Sequence, residues 1–157
     1  MCGIYGSLSH LPFNALNKFI EDSSQELKNR GPDHNDYWCD KKDGIYLGHN
    51  RLSIIDLSEK GNQPMKSYCE RYVMSFNGMI YNFHELKKKI ESEKNFYNWV
   101  GSSDTEVLIN SFSLFGIDKT LEFVDGMFAI ALWDKKEKNL FLIRDRCGEK
   151  PLFYFLY

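Results

Sequence analysis

An α+β fold of layered sheets and helices is what this sequence predicts, on three observations. Hydrophobic residues make up 43% of the chain and aromatic residues 15%, a mixture that suits packed sheets rather than a disordered chain. Strand-like segments lie towards both ends, and between them two segments open on a helix-capping pattern. At 157 residues a single domain can bury roughly two thirds of the surface its unfolded chain would expose. No repeat, low-complexity run or Pro/Gly/Ser linker divides it.

Taken in order, residues 3–8 read as a strand, and residues 13–27 as a helix with Phe13, Leu16, Ile20 and Leu27 near one face. Asn29-Arg30-Gly31-Pro32-Asp33 stops that helix, because Gly and Pro both break it. Residues 37–39 and 44–55 read as strands, and 58–63 as a loop. The alternating segment 71–76 is a strand that delivers Asn77-Gly78, a pair that favours a tight turn with positive φ, before Ile80-Tyr81 resumes extended character. Asn82 with Glu85 forms a capping box for a helix over 86–90, and Ser103 with Glu106 forms one for a helix over 107–115. Residues 126–133 and 139–144, joined by a polar turn at 134–138, read as a β-hairpin, and 151–157 as a further strand.

Charge and composition exclude several classes. A net charge of −2 gives no basic field for nucleic acid, and Lys87-Lys88-Lys89 reads as a solvated helix face. No run reaches the ~18–20 apolar residues that span a bilayer, and the first residues lack a secretory signal pattern, so no membrane and a cytoplasmic location are expected. Cys2, Cys39, Cys69 and Cys147 are scattered without a C-x-x-C pair, which points to neither zinc nor a disulfide framework. A thiol-redox protein would need a resolving cysteine near Cys2, and none is adjacent in sequence.

Cys2 is set apart by its place. If Met1 is removed, Cys2 carries the α-amino group, whose pKa near ~7.7–8 lets it act as general base for the thiol of its own residue. A retained Met1 would turn that amine into an amide. Position alone also fits an ordinary first residue of a strand.

Read with the rest of the chain, the signal sharpens. Met1-Cys2-Gly3-Ile4-Tyr5-Gly6, Arg30-Gly31-Pro32-Asp33, the run from His49 to Asp56, Gln63-Pro64, Asn77-Gly78-Met79-Ile80-Tyr81-Asn82, Ser103-Asp104-Thr105-Glu106 and the runs 126–134 and 144–154 resemble class II glutamine amidotransferases. Among these they are most similar to the amidotransferase domain of asparagine synthetases. Phosphoribosylamine-forming and glucosamine-phosphate-forming members share the Cys start and the oxyanion element, whereas the Arg-Gly-Pro-Asp and Arg-Leu-Ser-Ile blocks favour the asparagine synthetase branch.

The resemblance implies a four-layer αββα N-terminal-nucleophile hydrolase sandwich of two antiparallel sheets. It implies Cys2 as nucleophile, with Asn77 and the Gly78 backbone N–H as oxyanion hole for glutamine hydrolysis. Arg51 and Asp104 would grip the carboxylate and ammonium of glutamine, the backbone around Ile54 would add a contact, and Arg30 would support the loop. It implies no cofactor for this domain, with ATP and Mg needed only by a synthetase domain that receives ammonia, either C-terminal or separate. That domain is not in this sequence, and residues 1–157 stop inside an expected strand, which implies a truncated chain or a split-gene subunit. A homodimer stays open. The family usually has Glu after Asn-Gly, and here Met79 stands instead. Its thioether cannot accept from an ammonium as a carboxylate does, which leaves open weaker glutamine binding, a modified donor, or a binding or regulatory module.

Overall fold

The layering can be read from one strand. Side chains alternate along β3 (Ile45–Arg51): Ile45 and Leu47 enter a buried cluster with Val73, Ala131 and Trp133, and Tyr46 enters another with Leu16 and Ile20. The computed structural model describes residues 2–9, 13–93 and 98–156, and the side chains of the first helix from Leu16 onward. In it β3 is the middle strand of an antiparallel sheet, flanked by β1 (Gly3–Leu8) and β2 (His34–Asp40). A second antiparallel sheet runs β4 (Met65–Lys66), β5 (Tyr72–Ile80), β6 (Gly126–Asp134), β7 (Asn139–Arg144).

The cluster of Ile45, Leu47, Val73 and Trp133 draws on both sheets and so fills the space between them. Helix α1 (Phe13–Glu26) covers the outer face of the first sheet. Helices α2 (Phe83–Glu91), α3 (Asp104–Phe115) and α4 (Ile117–Phe123) cover the second, where Met74, Phe76, Leu108, Phe112, Ile130 and Leu132 pack together. The result is the expected α+β sandwich of four layers, αββα. Burying one such large apolar side chain is worth about 1.5–3 kcal/mol, against at most about 1 kcal/mol for an exposed ion pair. The three clusters therefore hold the layers together, and surface pairs such as Lys138–Asp43 contribute little.

Several expectations are corrected. Asn77-Gly78 makes no tight turn: β5 runs straight through it, with Asn77 opposite Ala129 and Gly78 opposite Phe128, because nine residues of pairing with β6 outweigh one local turn preference. Asn82 makes no side-chain cap on α2; its amide instead donates to the Phe123 carbonyl at 2.7 Å and accepts from Asp125 N–H at 3.0 Å. Ser103 does cap α3, accepting from Glu106 N–H at 3.2 Å, but Glu106 turns to Val100 and Gly101 N–H rather than closing the box. The strand expected over 44–55 ends at Arg51, and β2 extends to both sides of residues 37–39.

Residues 151–156 form no strand among the described residues, and Phe153 is 90% exposed; extended propensity alone does not make a strand. Helix α4 and the short β4 had no signal strong enough to predict them. Gly116 separates α4 from α3 with φ of 84°, a conformation that suits glycine at a helix end. Met1 and the side chain of Phe13 lie outside the described residues. No helix among the described residues is long and apolar enough to cross a membrane.

Candidate active site

The Arg-Gly-Pro-Asp turn joins the start of β1 to the end of β3. Arg30 Nε donates to the Cys2 carbonyl at 3.2 Å, the support expected of it. A side chain at Gly31 would fall on the Asn50 carbonyl, so only glycine lets the turn lie this close. Asp33 N–H donates to the Arg51 carbonyl at 3.0 Å, and the Asp33 carboxylate accepts from Ser53 N–H at 2.7 Å. Cys2 is thereby set beside the chain that leaves β3: Leu52 N–H lies 3.4 Å from Sγ, and Sγ lies 3.6 Å from the Leu52 carbonyl.

Arg51, 6% exposed, enters the same cleft at the end of β3. Nη1 donates to the Ser58 carbonyl and to Asn62 Oδ1, both at 2.7 Å, and Nη2 donates to the Asp56 carbonyl. The guanidinium thus acts as a peg under the 56–62 loop, and three of its five N–H groups are engaged there. Asp56 fastens the same loop to the approach of α3. Its carboxylate accepts from Ser58 N–H at 2.8 Å, Ser58 Oγ at 2.6 Å and Ser102 N–H at 2.7 Å. Those bonds, that from Ser102 first, hold its carboxyl well below the usual carboxylate range, at about 2.

The edge of β5 carries the third part. Strand amides point alternately to the two sides, and Phe76, Gly78 and Ile80 share the side away from β6. Phe76 N–H donates to Gln63 Oε1 at 2.7 Å, and Ile80 N–H donates to Asp104 Oδ2 at 2.9 Å. Across the sheet, Phe128, the register partner of Gly78, exchanges its own backbone bonds with Asp145. Gly78 N–H is therefore aimed at the cleft between its two tethered neighbours. Asn77 stands on the opposite face of β5 from Phe76, with Val73 and Ser75, towards the first sheet. Burial raises the Asp104 carboxyl, against N–H bonds from Ile80 and Thr105 that lower it.

One cleft is lined by Cys2, Arg51, Ile54, Asn77, Gly78 and Asp104. All six residues expected from the sequence are gathered there, from the residue before β1, from β3, the loop after β3, β5 and α3. Met79 lines it too. Ile54 lies at the mouth, 56% exposed, while it is Leu52 whose backbone touches the thiol. Sequence reasoning passed over Leu52, Asp56 and Gln63. The Gln63-Pro64 pair is part of the family resemblance, but nothing in it tells where the side chain reaches.

A sequence profile described as a glutamine amidotransferase domain matches residues 1–157. The chain belongs to that family. This amidotransferase domain is 35% identical over 171 residues to a putative glutamine-hydrolysing asparagine synthetase 2 of Methanocaldococcus jannaschii, covering 99% of this chain and 32% of that one. It is 36% identical to the glutamine-hydrolysing asparagine synthetase 1 of Bacillus subtilis, covering 98% and 24%. To the amidase chry2 of Gibberella zeae it is 33% identical, covering 100% and 24%. The domain thus spans a quarter to a third of these relatives. Among solved structures, a glutamine phosphoribosylpyrophosphate amidotransferase from B. subtilis aligns with a TM-score of 0.46 at 22% identity, over 58% of this chain and 21% of that one.

Proposed function

We propose that this domain hydrolyses glutamine to glutamate and ammonia with Cys2 as nucleophile. The observation that carries the reading is the convergence of Cys2, Arg51, Asn77, Gly78 and Asp104 on one cleft, with a backbone N–H directed into it. With Met1 removed, the free α-amine of Cys2 takes the thiol proton, directly or through a water, and the thiolate adds to the side-chain amide carbon. Negative charge gathers on the amide oxygen, and the Gly78 N–H and the Asn77 side chain stabilise it. Collapse expels ammonia and leaves a glutamyl thioester, which water opens to glutamate. The chemistry calls for no metal or organic cofactor.

Arg51 offers its remaining N–H groups to the substrate carboxylate, and the buried Asp104 carboxylate accepts from the ammonium. The homologues support an asparagine synthetase-like destination for the ammonia: a synthetase partner, in the same polypeptide or a separate one, using ATP and magnesium to activate an acceptor. In this reading residues 1–157 are the glutaminase part, and its setting is the cytoplasm. The intact mass of the chain, taken before and after diazo-oxo-norleucine, tests the site. Loss of one methionine and a single adduct at Cys2, absent in Cys2→Ala, is the expected result. A processed chain that stays unmodified and releases no ammonia from glutamine overturns the reading in favour of a non-catalytic binding module.

A further inference from the structure

The short β4 stops before it has covered β5. Its register pairs Met65 with Met74 and Lys66 with Val73, and continuing that register would place residue 63 opposite Phe76 and residue 61 opposite Gly78. The backbone does not go on as a strand: residues 59–61 form a 3-10 turn. What crosses to β5 instead is the side chain of Gln63, 5% exposed. Its Oε1 takes the Phe76 N–H at 2.7 Å, while its Nε2 donates to Thr105 Oγ1 of α3 at 3.4 Å. Two residues beyond Gly78, Asp104 Oδ2 takes the Ile80 N–H. Both flanking amides are thus held by side-chain oxygens, and the middle one is left facing the cleft.

We propose that Gln63 and Asp104 stand in for a missing strand on either side of Gly78, and that Gln63 is a positioning residue for the Gly78 N–H. A real strand here would bury the Gly78 donor in a ladder bond; no anchor at all would let the edge drift. Two point anchors fix the edge of β5 and keep its central donor available. Through Thr105, Gln63 also sets the spacing between β5 and the helix turn that carries Asp104. Gln63 itself acts only through the backbone it holds. This inference rests on the glutaminase reading for its kinetic consequence, and on geometry alone for its structural one.

Two measurements test it separately. Amide exchange followed by NMR is expected to show Phe76 and Ile80 slow and Gly78 at least about tenfold faster in the wild-type chain, since only the flanking amides are bonded. Equal protection of all three overturns the proposal, whether or not the chain turns over glutamine. Gln63→Met, which keeps length and loses the acceptor, is expected to speed Phe76 exchange and to lower kcat for glutamine hydrolysis at least about tenfold, with KM within about threefold. Gln63→Glu, which keeps an acceptor oxygen, is expected to restore most of kcat. Equal loss in both variants, or kcat and KM moving together with the melting temperature, shows a merely structural residue and overturns the positioning role. If the wild-type chain hydrolyses no glutamine, the glutaminase reading falls, and the exchange pattern still decides the structural claim.

Discussion

Met79 is where single-residue chemistry bears most on this domain. It lies two residues after Asn77 on β5, so strand alternation gives it the same face, and it lines the cleft. Asp56 has both carboxylate oxygens bonded, Oδ1 by Ser58 and Oδ2 by Ser102, and under the proposed function it is Asp104, with Ile80 N–H on its Oδ2, that accepts from the ammonium. Met79→Glu adds a second acceptor beside it. The expected outcome is a KM for glutamine lower by about tenfold, the equivalent of one charge-assisted hydrogen bond, with kcat changed by less than about threefold. Steady-state assay of ammonia release checks this, and an unchanged KM would show that the ammonium does not approach residue 79. Burial already raises the Asp104 carboxyl, so a neighbouring carboxylate would raise it further at low pH, and the gain in KM is expected to fade as the solution is acidified.

At the scale of elements, the site depends on how closely the Arg-Gly-Pro-Asp turn lies on the end of β3. Gly31 meets the Asn50 carbonyl and Arg51 N–H with no space for a Cβ, and the neighbouring Arg30 and Asp33 tie the turn to Cys2 and Ser53. Gly31→Ala must push backbone against backbone, which no rotamer change relieves. A loss of at least about 2 kcal/mol is expected from such overpacking, read as a lower urea midpoint, together with slower labelling of Cys2 by diazo-oxo-norleucine. Unchanged stability would mean the turn can lift away from β3. The same scale explains what the sequence concealed: Asn82 looked like a helix cap and instead braces the 123–125 turn, because an amide side chain is equally able to serve a local N–H or a distant carbonyl.

For the whole molecule, the seam between the two sheets holds a buried histidine whose titration bears on stability. His49, fully buried on β3, makes its bond to the Phe76 carbonyl of β5 at 3.1 Å through Nε2, and Nδ1 has no partner. The carbonyl can only accept, so Nε2 carries a proton. Burial, with Arg51 and His34 nearby, pulls its pKa down to about 4 from an ordinary 6.5. The sign follows: below pH 6.5 the unfolded chain takes up a proton that the folded chain refuses, so stability falls as pH drops from 6.5 to about 4. Over that window the loss is roughly 3 kcal/mol. Urea titrations at pH 7 and pH 4.5 should show it, and His49→Gln, which keeps a donor for Phe76 and has no proton to gain, should flatten the slope. A slope unchanged in that variant would place the titration elsewhere.

How much of this was legible beforehand differs by kind of information. The α+β class and the order of most strands and helices were written in local periodicity and turn signals, since apolar spacing reports which face an element buries. By its resemblance to the family the sequence also named Cys2, Arg51, Ile54, Asn77, Gly78 and Asp104, which the fold gathers into one cleft. Tertiary structure alone decided that Asn77-Gly78 is strand rather than turn, that Arg51 pegs the 56–62 loop, that Gln63 reaches β5, and that the amide of Gly78 faces the cleft. In the bonds that decide them, polar groups meet partners 7 to 50 residues away along the chain. Hydrophobic pattern records only that a residue is turned inward, and the partner it meets there is set when the layers close.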